Sequence, residues 1–206
     1  MARIRIIFSK RGRVCFVPHV EMPPLFCRAL RRIGASIEQT TGMVPRAKIS
    51  LGPALPIGVP AMAEPLEVWV DNWDHGMIAS LNASLPEGVR VLEAGIAEGL
   101  PKLNDQCEAA LYRVYPRESD VLKRLSDMTE QGWQPVRNIL FLSFSRGWFD
   151  LAVGDPGQVG AGTLVKSLVN EGVIESWKDL LVARLAVGLW TGRGVRTLTC
   201  KGGGAL

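Results

Sequence analysis

The chain has no Cys-x-x-Cys pair and only two histidines, His19 and His75, to complete a metal site. Its four cysteines, Cys15, Cys27, Cys107 and Cys200, lie far apart, and three of them sit in or beside apolar runs. A zinc site is therefore not expected. The thiols read as reduced, small core residues, which suits a reducing compartment. No stretch approaches the roughly 18 uninterrupted apolar residues of a membrane span. The start alternates charged and apolar residues (Arg3, Ile4, Arg5, Ile6) and lacks the apolar block of a signal peptide. The Gly/Pro-rich stretch Leu51–Pro60 lacks the Gly-Lys-Ser/Thr ending of a P-loop and reads as a rigid connector. No Ser/His/Asp triad order and no dinucleotide fingerprint stands out. Metal and cofactor are both expected to be none, and the protein is expected to be soluble and cytoplasmic.

Acidic residues are scarce at the front. Residues 1–50 hold ten Lys/Arg against two acids, Glu21 and Glu38, a local charge of +8 in a chain whose total is +4. The tail from Trp190 adds Arg193, Arg196 and Lys201 without an acid. Such asymmetry suggests a side that faces a polyanion. A solvated basic face with no partner is the alternative.

With 206 residues, 47% of them hydrophobic, the chain can bury a real core. Arg3–Phe8 alternates as a strand does, and Val14–Val17 is a short apolar run. After Pro18, with Pro23 and Pro24 near its first turn, a helix is expected to run to Gly34. Leu25, Phe26, Ala29, Leu30 and Ile33 form its apolar side, with Arg28, Arg31 and Arg32 opposite. Ser36–Thr40, Lys48–Leu51 and Leu66–Val70 read as strands. A helix capped by Asp71 or Asn72 should run to about Leu85, followed by the strand Val89–Ala94. The second half repeats the pattern. Ala109–Tyr115 is a strand, Glu118–Gln131 a helix, Asn138–Ser145 and Trp148–Val153 a hairpin around Arg146-Gly147, and Gly162–Asn170 a helix. Leu180–Trp190 reads as a strand or a helix, and as a strand it completes the unit. The expected class is α+β, with two tandem ferredoxin-like β-α-β-β-α-β units. Residues 1–100 form the basic first unit and 107–206 the second, with a boundary near 99–106 (Gly99, Pro101, Asn104).

The segment from Lys10 to Glu67 carries several ordered motifs. Arg11-Gly12-Arg13-Val14-Cys15-Phe16-Val17-Pro18-His19-Val20-Glu21 is similar to a K-G-x-x-R-F-I-S-H-L-D pattern. Arg28-Ala29-Leu30-Arg31-Arg32-Ile33-Gly34 follows, then Thr40 to Ser50, then Leu55-Pro56-Ile57-Gly58-Val59 and Glu64. In this order they resemble the radical-SAM-linked protein family of unknown function, over about a third of the chain. Pro18 stands where that family has Ser, Glu21 where it has Asp, Met43-Val44 where it has Phe-Asn, and Thr40-Thr41 where it has Tyr-Ser. The resemblance implies a bacterial protein that works beside a radical-SAM partner and touches RNA metabolism. The duplicated layout is also similar, in architecture alone, to CRISPR RNA-binding ferredoxin-like proteins.

The expected interface for nucleic acid is Arg11, Arg13, His19, Arg28, Arg31, Arg32, Arg46 and Lys48. Guanidiniums suit bidentate phosphate contact, and the loops carrying Arg11, Arg13, Arg46 and Lys48 lie close in sequence to the ends of the arginine-bearing helix. RNA is the expected polyanion, and no DNA specificity is inferred. His19 is the sole catalytic candidate, because an imidazole titrates near neutrality and could move a 2′-hydroxyl proton. A structural cap is the simpler role for it. Three functions remain open: a non-catalytic RNA-binding accessory, a protein–protein adaptor or small-molecule module with a basic face, and a metal-independent endoribonuclease.

Overall fold

In the computed structural model, residues 1–199 are described. Cys200, Lys201 and the Gly202–Gly204 run lie outside the described residues. The first half runs β1 (Ala2–Lys10), α1 (Met22–Arg32), β2 (Ile49–Leu51), β3 (Ala61–Val70), α2 (Met77–Ser84) and β4 (Val89–Ile96). The second runs β5 (Ala109–Pro116), α3 (Ser119–Glu130), β6 (Ile139–Ser145), β7 (Trp148–Gly154), α4 (Ala161–Asn170), β8 (Leu180–Trp190) and β9 (Val195–Thr197). All nine strands join one mixed α+β sheet in the order β4-β1-β3-β8-β5-β7-β6, with β2 on β3 and β9 on β8. Pairing is antiparallel except where β3 meets β8, at Ala61 opposite Arg184. No helix among the described residues is long and apolar enough to cross a membrane.

The period-2 pattern of β1 does what it promises. Ile4, Ile6 and Phe8 enter a core with Phe26 and Leu30 of α1 and Ile78 and Leu81 of α2. Each large apolar side chain so buried stabilises the fold by about 1.5–3 kcal/mol. A second core gathers Tyr112, Val114, Phe149 and Leu151 beneath Leu125 of α3 and Leu164 of α4. It also draws in Ile7, Leu55, Val59 and Ala61 from the first half and Leu103 and Cys107 from the connecting segment. The two halves thus share buried surface.

Leu180–Trp190 resolves as a strand, paired with β5 along most of its length. Three local expectations shift. The apolar run Val14–Val17 falls largely within a 3-10 turn, Gly12–Phe16. Ser36–Thr40 makes only isolated bridges, Ile37 to Val70 and Gln39 to Ala47. The second helix starts at Met77 rather than Asp71 or Asn72. Asp74 Oδ1 accepts the Gly76 N–H at 2.7 Å, a local turn that competes with helix initiation, and Asn72 sits at φ 52°.

Candidate nucleic-acid interface

Pro23 and Pro24 occupy the first turn of α1, where backbone N–H groups have no helical partner anyway. Burial of Met22, Phe26, Ala29 and Leu30 fixes the rotation of the helix and leaves Arg28, Arg31 and Arg32 exposed. Arg28 and Arg31 of α1 line a groove of about 610 Å³ together with Arg46 of the following loop. The Arg46 loop is held by two hydrogen bonds. Thr40 N–H donates to Arg46 O at 2.7 Å, and Arg46 N–H donates to Thr40 Oγ1 at 3.1 Å. No acidic side chain lines this groove among the described residues. Three guanidiniums facing one apolar-floored channel can clamp phosphate oxygens.

The other expected residues separate from this group. Arg32 turns toward α2 and donates to Ser84 O at 3.4 Å. Lys48 pairs with Glu38 at 2.8 Å and lies over the Trp69 ring at 4.6 Å, so its charge is already matched. Arg11 lines a different cavity, with Arg90, at the tip of the β1–β4 ladder. Arg13 is exposed on the 3-10 turn. Of the eight residues of the expected interface, Arg28, Arg31 and Arg46 line one groove together.

His19 is half-buried and faces inward. Burial pushes it below the ordinary imidazole range, and the Glu64 carboxylate offsets this in part. Its charged neighbours are Glu64, Arg184 and Lys10 rather than the groove arginines. Glu64 and Arg184 form an ion pair at 4% and 0% exposure. Arg184 Nε donates to Glu64 Oε1 at 2.7 Å, and Nη2 reaches Glu64 Oε2. Arg184 also donates to Pro53 O at 2.8 Å and Ala54 O at 3.1 Å. Burial opposes its charge, but the Glu64 carboxylate holds Arg184 above its usual range. Lys10, 2% exposed, donates to Val17 O at 2.6 Å, and burial pushes it down.

This inner cluster escaped the sequence reading, although Glu64 lies in one of the quoted motifs. Much of the N-terminal positive charge is structural in the same way. Arg5 pairs with Glu67 at 2.7 Å while fully enclosed, and Arg3 sits 3.8 Å from the same carboxylate. The remaining exposed cations of the first fifty residues, Arg11, Arg13, Arg28, Arg31, Arg32 and Arg46, make no ion pair among the described residues. Cys15, Cys27 and Cys107 are buried free thiols, and burial pushes Cys107 up to about 12. No group of three His, Cys, Asp or Glu side chains suited to a metal ion occurs among the described residues. His75 lies in the turn before α2, beside Asn82 in a shallow cavity.

A search of the curated proteins finds no match to the chain. Residues 3–140 match a bacterial family described as "Uncharacterized protein conserved in bacteria (DUF2344)". That span covers β1 through the start of β6, and with it the groove, His19 and Glu64. The chain belongs to this family.

Proposed function

We propose that the protein is a non-catalytic RNA-binding accessory of radical-SAM RNA-modification or RNA-processing machinery in the cytoplasm. The observation that carries this reading is the groove that Arg28, Arg31 and Arg46 line together, with no acidic side chain in its lining among the described residues. The placement of His19 away from that groove favours binding over cleavage. We read the halves as two tandem ferredoxin-like units, 1–100 and 107–206. Support comes from the repeated β-α-β-β-α-β order and from the matching strand orders β4-β1-β3-β2 and β8-β5-β7-β6. So read, the layout resembles that of CRISPR RNA-binding proteins, a likeness of architecture that carries no mechanism.

The test is fluorescence anisotropy with labelled single-stranded RNA across a salt series. Each phosphate contact adds about 0.7 to the slope of log affinity against log salt, so the triple substitution R28A/R31A/R46A should lower it by about 2. Equal slopes for wild type and variant would remove the groove from the interface. Incubation of labelled RNA with wild type and His19→Ala should leave it intact in both. Cleavage by wild type alone would turn the reading to an endoribonuclease.

A further inference from the structure

The second half buries one face of its sheet and leaves part of the other, around Tyr115 and Leu181, exposed. Tyr112, Val114, Phe149 and Leu151 point into the core beneath α3 and α4. Their strand neighbours point the opposite way. Leu181 pairs with Tyr115, whose ring lies 6.0 Å from that of Trp148, and Trp148 pairs with Ser145. One register step along lie Ala183, Arg113, Asp150 and Ser143. Tyr115 is 39% and Leu181 59% exposed. At the edge of this face a groove of about 670 Å³ continues to Trp177, 41% exposed, and to Phe16, 71% exposed, from the first half.

We propose that this open sheet face is a stacking platform for the bases of single-stranded RNA, an inference that rests on the RNA-binding reading above. The rings of Tyr115 and Trp148 stand on adjacent strands with stiff backbones, which fixes them as platforms. Stacking on such rings tolerates any base, because every base has a π-face. The row beside the rings holds the Ser143 hydroxyl and a closed Arg113–Asp150 pair. Arg113 Nε donates to Asp150 Oδ1 at 2.7 Å and Nη2 to Oδ2 at 2.8 Å, so the carboxylate is balanced and does not repel phosphate. The same guanidinium lies 5.2 Å over one face of the half-buried Trp148 ring, so a base would stack on the ring's other face or on Tyr115. Arg117, Arg146 and Lys178, all exposed, flank the aromatic row by their places in the chain.

This mixture selects the occupant. The fully buried centre of a protein–protein interface is depleted of charge. Here the Arg113–Asp150 pair and the Ser143 hydroxyl stand in the row beside the rings, and the exposed cations Arg117, Arg146 and Lys178 lie close to them in the chain. A flexible polyanion with aromatic bases fits both. Duplex RNA does not, since its bases are stacked on one another and closed to side-chain rings.

Anisotropy of labelled oligouridine with wild type, Tyr115→Ala, Trp148→Ala, Trp148→Phe and R28A/R31A/R46A tests the proposal, with circular dichroism confirming each fold. Tyr115→Ala and Trp148→Ala should each weaken binding roughly 10-fold with an unchanged salt slope, and Trp148→Phe should retain most of the affinity. Thiouridine-substituted RNA should crosslink to peptides of β5 or β7 in the wild type, a readout independent of whether the alanine variants fold. If wild type binds RNA but the ring variants bind equally and crosslinks fall elsewhere, the platform is wrong and the RNA-binding reading stands. If wild type binds no RNA, both fall. A wild-type dimer that the ring variants convert to monomer, with RNA affinity unchanged, would assign the face to a second copy and overturn the proposal.

Discussion

Arg184 shows how much depends on a single guanidinium. Its partner Glu64 is 4% exposed, so removing the arginine would strand a carboxylate in the interior. Arg184→Met is expected to destabilise the fold by about 3–5 kcal/mol in urea denaturation. Converting Glu64 to Leu as well should recover much of that loss, because a packed apolar pair removes the uncompensated charge. His19 contributes a pH dependence of definite sign. Burial keeps its folded-state proton affinity low, so the unfolded chain binds a proton that the folded chain refuses. Stability therefore falls as pH drops through the ordinary imidazole range toward the lower folded value, and is unaffected above it. His19→Gln should flatten the loss of urea midpoint between about pH 7 and about pH 5, near the usual imidazole value. Equal losses in variant and wild type would exclude this role. The basic character of the first fifty residues was legible in the sequence, but the division of labour among its cations was not. Charge counting treats Arg5, Lys10 and Arg28 alike. Only register reveals that Arg5 faces Glu67 across the β1–β3 ladder and is neutralised there.

At the scale of elements, α1, β1 and the β6–β7 hairpin were readable because their patterns are strong. The apolar side of α1, the alternation of β1 and the hairpin β6–β7 all carry many periodic residues. Ser36–Thr40 was not. Read as a strand, it makes only the bridges at Ile37 and Gln39, whose partners Val70 and Ala47 are set by the fold and not by its own residues. The tip of the β1–β4 ladder offers a test at this scale. Gly88 has φ 91°, its carbonyl accepts the Arg11 N–H at 2.7 Å, and a Cβ there would lie 2.2 Å from Arg11 O. Gly88→Ala is expected to cost about 1–3 kcal/mol, combining left-handed strain with loss of that close approach. Hydrogen exchange should locate the loosening at Arg11 and the start of β4. A thermal midpoint equal to wild type would refute the assignment.

For the whole molecule, the α+β class was anticipated, but the joint between halves was not. The segment 99–106 reads in the sequence as a boundary, from Gly99, Pro101 and Asn104. In the structure Leu103 is 2% exposed and packs into the second core. A single pairing of β3 with β8, the Glu64–Arg184 tie and the shared apolar residues couple the halves. Thermal unfolding followed by tryptophan fluorescence and by far-ultraviolet circular dichroism should therefore coincide in one transition. In Arg184→Met the two curves should separate as the halves uncouple. Two transitions in the wild type would show the joint to be weak.

That tie also sets a timetable for synthesis. Glu64 leaves the ribosome 120 residues ahead of Arg184. At about 5–20 residues per second the carboxylate waits roughly 6–24 s for its counter-ion. Until then the first half lacks the partner that lets it close, and must keep that edge hydrated and open. A nascent chain of this protein is thus expected to finish maturing only when its last long strand arrives, the final piece closing a seam begun near the start.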